Sequence, residues 1–300
     1  MTAQAAHLAD GERTAERLLA SSAKNSYDPE LDLDWNAPLA DDKFYFVPER
    51  LPLYGTSWWE RATPEQRIEH SRHFVAGVAS SGIWFESILM QLLLRHVYRV
   101  DPRQRQPQYV LTEVADECRH IVMFGRMMEK LGTPHYKPPF VPRELGNLLK
   151  AVGWGPSMYA ATLLGEEIVD RFQRAAMNDD RVQPMMRMVN RIHVVEEARH
   201  VRYAREEIVR SIEQAGKAEL ALHRAITAVV AFYVSRAFLP LDTFRPLGLD
   251  PRDGLRMALA NPHWQQTMRW GGERLMAYLD ELGMIGKSVV KLWRKSLLIP

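Results

Sequence analysis

Asp116-Glu117-Cys118-Arg119-His120 and Glu196-Glu197-Ala198-Arg199-His200 decide the fold. Each places an acid, a glutamate, an arginine and a histidine in the same order. A glutamate and a histidine three residues apart share one face of a helix. Each motif therefore offers a carboxylate oxygen and an imidazole nitrogen to a common point. One such motif is commonplace as a solvated charge pair. Two copies with the same five-residue context are a much stronger signal of metal binding.

The spacing outward from the motifs adds to this. A four-helix di-metal site takes a lone glutamate from each of two helices and a Glu-x-x-His from each of the other two. Glu86 precedes Glu117 by 31 residues, and Glu166 precedes Glu197 by the same 31. The midpoints fall at Asp101-Pro102 and Arg181-Val182, inside polar turns. Each hairpin then runs up, turns and returns level with its start. The spacing favours Glu166, although one residue of slack in the turn would select Glu167. Glu86 lies in the apolar stretch Ser81–Met90, where a lone carboxylate is costly unless paired or coordinated. The alternative for Glu86 is a salt bridge to Arg95 or Arg119.

The rest of the chain reads as all-α. Thr63 is a good N-cap and Pro64 suits the first helical position. Helical apolar periodicity then runs from Pro64 to Val100. Further helices are expected over Gln108–Leu131, Ser157–Met177, Met185–Gln214, Gly216–Phe238, Asn261–Leu282 and Lys287–Leu297. Gly132 ends the second of these as a glycine stop. The stretch Tyr136–Pro156, rich in Pro and Gly, reads as a long connection. Residues 1–45 read as a polar wrapped arm with a short helix at Gly11–Ala23. The whole is expected to be one helical domain, with the di-metal core over residues 63–214 and accessory helices over 216–300.

Composition narrows the functional classes. The 300 residues are 46% hydrophobic and 25% charged, which excludes a wholly disordered chain. With 39 basic and 37 acidic residues the net charge is +2, and nothing in it asks for nucleic acid or an anionic membrane. The single cysteine, Cys118, rules out a disulfide framework within the chain and fits a reducing cytoplasm. No signal-peptide pattern is visible. Uncharged runs such as Ala151–Gly165 and Ala225–Ser235 are shorter than the ~20 residues of a membrane span. A soluble, cytoplasmic protein is expected.

Charge accounting suggests two divalent ions. Glu86, Glu117, Glu166 and Glu197 would bring four negative charges into one core, and without metal they would repel and take up protons. Mixed carboxylate and imidazole ligands suit iron, with manganese the next candidate. His193 falls in the same helical stripe as Glu197 and His200, either as a seventh ligand or as a core histidine. Asp116 and Glu196 are candidates to orient the histidine of the opposite motif, as carboxylates behind metal-bound histidines do; the alternative is a surface acid paired with arginine. Cys118 is rotated away from its neighbours and reads as packing. His70, His73, His96, His135, His223 and His263 have no metal spacing.

The set Glu86, Glu117-x-x-His120, Glu166 and His193-x-x-x-Glu197-x-x-His200 resembles the non-haem di-iron N-oxygenases of the AurF type, within the ferritin-like superfamily. The resemblance covers about residues 45–237, and the histidine one turn before the last motif is its most specific mark. It implies a ferritin-like four-helix di-iron core, usually in a homodimer, and O₂ activation at the reduced centre. A peroxo species then oxidises an aryl amine through hydroxylamine and nitroso levels toward nitro. It implies two iron ions held by those seven residues, and an external electron donor. No Gly-x-Gly-x-x-Gly follows a strand, so no flavin or nicotinamide domain is expected.

Other members of the wider superfamily fit less well. Phe124 stands where ribonucleotide reductase small subunits carry a radical tyrosine. Asp170 stands where multicomponent hydrocarbon monooxygenases carry a threonine. A di-iron or Mn/Fe oxidase acting on C–H bonds of a fatty-acid-like substrate is the alternative enzyme, and a ferritin-like iron store is the non-catalytic one. Candidate pocket residues one turn from the ligands are Gly82, Met90, Phe124, Thr162 and Asp170. An arginine could clamp a substrate carboxylate, but the sequence does not single one out.

Overall fold

A computed structural model describes residues 3–300, with side chains from Asp10 onward except that of Val152. The first two residues of the expected arm lie outside the described residues. The element order is α1 (Ala3–Ser22), α2 (Pro29–Asp32), α3 (Ser57–Arg61), α4 (Pro64–Val97), α5 (Arg105–Lys130), α6 (Phe140–Val152), α7 (Gly155–Met177), α8 (Pro184–Gln214), α9 (Lys217–Ala237), α10 (Pro251–Ala260), α11 (Pro262–Glu281) and α12 (Val290–Lys295). Among the described residues there is no strand. One isolated bridge pairs Phe44 with Val182.

Two antiparallel hairpins, α4–α5 and α7–α8, form the ferritin-like core. Each starts on chemistry the sequence announces. Thr63 and Gln66 close a reciprocal capping box at α4, with Thr63 N–H donating to Gln66 Oε1 at 2.9 Å. Gly132, at φ +62°, takes the left-handed position just past α5. The turns between paired helices fall at residues 98–104 and 178–183, on the midpoints that the equal spacing requires. The hairpins approach closely where Gly165 lies against Phe85. A Cβ at Gly165 would sit 2.2 Å from that ring, so only glycine fits there.

The outer elements close the bundle. α9 and α11 pack on α7, and α1 packs on α5 and α8. Trp264 and Trp293 are fully buried under this layer. Burying such a side chain stabilises by at least ~1.5–3 kcal/mol. By length and composition alone, α4 and the stretch Lys217–Leu247 could cross a membrane. In the fold, α4 packs on α5 and α9 packs on α7.

Three readings of the sequence need correction. The stretch Tyr136–Pro156 is not a plain connection, because it contains the 13-residue helix α6. Pro142 and Gly146 lower its helical propensity. Pro142, however, lies in the first turn, where proline is tolerated. Gly146 lets the helix settle on α4, since a Cβ there would meet Ile88 at 2.5 Å and Trp84 at 2.6 Å. Helix α10 was not foreseen; Asp250 caps it by accepting from the Arg252 and Asp253 N–H groups. The helix expected at Lys287–Leu297 is a 3₁₀ turn followed by the short α12.

Candidate metal centre

The four core helices bring Glu86, Glu117, His120, Glu166, His193, Glu197 and His200 together, all of them buried. Glu117 and Glu197 stand in the middle. Glu117 lies 3.2 Å from His120 Nδ1 and 3.3 Å from His200 Nδ1. Glu197 lies 3.2 Å and 3.0 Å from the same two nitrogens. Each central carboxylate thus faces both motif histidines. Glu86 joins His120 and His193 on one side of the cluster, while Glu166 approaches His193 and Glu197. Glu167, the alternative to Glu166, instead pairs with Arg205 at 2.9 Å. Neither Arg95 nor Arg119 holds Glu86; its nearest ionic neighbour is His193, at 3.5 Å.

The outer nitrogens of the motif histidines are held by the opposite motif. His120 Nε2 meets Glu196 at 2.8 Å, and His200 Nε2 meets Asp116 at 3.3 Å. Each Nδ1 is thereby turned inward. Asp116 is anchored in turn by Arg119 and by Arg199 at 3.1 Å. The arm before α2 reaches the same layer: the Tyr27 N–H donates to Glu196 at 3.0 Å, and Arg199 donates to the Asn25 carbonyl at 3.0 Å. His193 has a different support. Its Nδ1 bonds Gln173 Oε1 at 2.8 Å, which fixes the N–H there and leaves the Nε2 lone pair facing the cluster.

The donor set fits a pair of cations. Glu86 Oε2, Glu117 Oε1, Glu197 Oε1 and His193 Nε2 are buried without a hydrogen-bond partner. Orphaned acceptors at one buried point are costly, and divalent ions would satisfy them together. Proton balance points the same way. Burial pushes Glu86 up to about 7, against the pull of His193. Burial and the charges of Glu197, Glu117 and Glu86 hold Glu166 well above the usual carboxylate range. Burial alone would raise Glu197 and lower His120 and His200. Their mutual contacts win, holding Glu197 low and both histidines high. Without metal the cage therefore shares protons that cations would displace. Cation uptake is expected to weaken as pH falls through about 7, because protonated Glu86 must ionise first. Titrations on either side of neutrality, in buffers of different ionisation enthalpy, would show the affinity change and the released protons. Equal affinity across that range would contradict it.

Two residues near the cluster were missed. Gln173 carries no metal signature in sequence. Glu113 lies one turn before Glu117 on the same face, grouped with Glu117 and His200. Burial pushes it up to about 8, and Glu113 Oε2 has no partner. Its spacing from Glu117 was the available signal.

A cavity of about 410 Å³ opens from the cluster, reaching Glu86, Glu166 and His193 at its inner end. Gly82 and Phe124 line it, as the sequence suggested, but Met90, Thr162 and Asp170 do not. Asp170 pairs with Arg174 at 2.7 Å, and the Thr162 hydroxyl donates to the Met158 carbonyl at 3.2 Å. Cys118 is exposed, with only a 3.6 Å contact to Met90 Sδ, so it packs no core.

A family profile described as p-aminobenzoate N-oxygenase AurF matches residues 9–283. The chain belongs to the AurF family. Among curated proteins, uncharacterized proteins of Mycobacterium tuberculosis and Mycobacterium bovis are each 31% identical over 196 residues. That alignment spans 62% of this chain and 56% of the relatives' length. Among solved structures, two mutant forms of R2-like ligand-binding oxidase share the fold, one reconstituted aerobically and one anaerobically with a Mn/Fe cofactor. Each has a TM-score of 0.54, at 13% and 15% identity, and the superpositions cover 92% of this chain and 94% and 93% of theirs. Family and fold agree with the helical core that carries the buried glutamate and histidine cluster.

Proposed function

We propose that this member of the AurF family is an O₂-dependent di-iron oxygenase that inserts oxygen into the nitrogen of an aryl amine. The observation that carries the reading is the seven-residue cage with four orphaned donor atoms, opening directly onto an apolar cavity. Glu86, Glu117, His120, Glu166, His193, Glu197 and His200 would hold two ions. Iron suits this carboxylate-rich, mixed-imidazole set, with manganese second. Bound and reduced, the pair supplies electrons to O₂.

The chain's own residues do the rest. Asp116 and Glu196 hold the motif histidines in one tautomer, and Gln173 does so for His193. Phe124 and the apolar wall keep water from the inner end. The first oxidation converts the amine to a hydroxylamine: one oxygen atom enters an N–H bond and the other leaves as water. Two electrons and two protons come from an external donor. Repetition gives the nitroso and nitro levels.

The test is iron-loaded, chemically reduced protein given labelled O₂ and a panel of aryl amines. One labelled oxygen atom in a hydroxylamino or nitroso product, or two in a nitro product, is the expected result. An O₂ reaction that leaves every amine unchanged but oxidises a C–H substrate would move the reading to carbon oxidation.

A further inference from the structure

We infer that the cavity selects an uncharged, largely apolar amine and disfavours amines that carry a carboxylate, such as an aminobenzoate. This rests on the N-oxygenation reading only for which end of the substrate faces the cage. A nitrogen delivered to the cage lies beside Glu86, Glu166 and His193. The remainder of the molecule must then extend between α4, α6 and α9, toward the surface. Leu148, Trp154 and Val229 line that outer end and are 57%, 41% and 36% exposed. The way in is therefore apolar as well.

A carboxylate in this space meets no cation. Among the described lining residues there is no arginine or lysine. The arginines on the neighbouring helices are directed elsewhere. Arg95 on α4 donates to carbonyls at the end of α6, including that of Lys150 at 3.2 Å. Arg236 on α9 donates to the Lys295 carbonyl at 2.9 Å and stacks over Phe232. Four polar side chains of the wall already have partners, while the Tyr233 hydroxyl and the Trp84 indole N–H are neutral donors that supply no positive charge. The Ser81 hydroxyl donates to the Ala237 carbonyl at 2.8 Å, and Ser157 pairs with His223 at 2.9 Å. The Asn190 amide donates to the Met186 carbonyl at 2.8 Å, and Gln173 is held by His193. A buried carboxylate left without a cation loses more hydration than one or two neutral donors restore. An alkyl or ester group in the same place gains from burial. The wall thus discriminates by the substrate's distal group, in the manner of a site that leaves a buried charge unpaired.

The inference is tested by calorimetric binding of three probes to the oxidised, metal-loaded protein: 4-aminobenzoate, its methyl ester and 4-butylaniline. The ester and the alkylaniline are expected to bind at least roughly tenfold tighter than the acid, the ratio equivalent to about 1.4 kcal/mol. A Val229→Lys variant places a cation at the exposed rim, where its stem can follow the apolar wall. It is expected to narrow the gap by strengthening acid binding alone. Binding of the acid as tight as that of its ester in the parent protein would overturn the inference. So would failure of all three probes to bind, since the cavity would then not be the substrate site. The two readings fail separately. Preference for the neutral probes without their N-oxygenation on reduction under O₂ keeps the cavity assignment and removes the N-oxygenase reading. Preference for the acid, with its oxidation, does the reverse.

Discussion

Replacing both central carboxylates, Glu117→Ala with Glu197→Ala, is expected to abolish stable binding of a metal pair. The parent protein should hold close to two iron ions per chain, as two divalent charges would balance four buried carboxylates. Glu117 and Glu197 each lie within 3.3 Å of both motif histidines. No other carboxylate of the cluster lies this close to the Nδ1 nitrogens of both. Their loss leaves Glu86, His120 and His193 on one side and Glu166 and His200 on the other, with half of the carboxylate charge gone and no carboxylate common to the two sides. The fold itself is not expected to collapse. Removing buried like charges in a metal-free core can be neutral or stabilising, so helix content should be retained. Elemental analysis of the purified variant, beside its circular dichroism, is the measurement. Two ions per chain in a folded double variant would sink the assignment of the site.

Much of this centre was legible because its geometry is periodic. Glu86, Glu117, Glu166 and Glu197 sit on hairpins whose equal spacing leaves little freedom in where the carboxylates meet. The choice of Glu166 over Glu167 followed from that spacing, and the structure sends Glu167 out to Arg205. The sequence offers two readings of Asp116 and Glu196, a carboxylate behind the opposite motif histidine or a surface acid paired with arginine. The structure gives both acids the first contact, while Asp116 also holds Arg119 and Arg199.

What the sequence hid is aperiodic. Gln173 supports His193 across the α7–α8 pair, and a glutamine at that distance leaves no motif. The cavity wall depends on α6, whose Pro142 and Gly146 disguise a helix as a loop. Leu145, Leu148 and Leu149 line the cavity, although Leu148 is also partly open to solvent at its mouth, and Phe140 faces solvent. Cys118 reads as packing rather than ligation because it is rotated off the ligand face, but the structure leaves it exposed. A rotation of about 100° per residue takes it to the outside.

The crossed acids lead to the second large effect. Glu196→Ala is expected to weaken metal binding by roughly 10–100-fold, with modest damage to the fold. His120 Nε2–H would lose its acceptor at 2.8 Å, and the ring would be free to turn its other nitrogen away from the cage. Glu196→Gln keeps a carbonyl acceptor at that position and should recover much of the affinity, which a loss through misfolding would not allow. Asp116→Ala should differ in kind. Asp116 receives His200, Arg119 and Arg199 together, and Arg199 is only 5% exposed. Stripping its partner leaves a buried guanidinium with only the Asn25 carbonyl at 3.0 Å and Glu196 at 4.0 Å, at a cost on the order of 3 kcal/mol. That variant should lose thermal stability along with metal, whereas Glu196→Ala loses mainly metal. Competition titrations against a chelator, paired with melting curves, separate the two. If Glu196→Ala holds metal as tightly as the parent, His120 is oriented by its own packing and the crossed acids have no role in shaping the site.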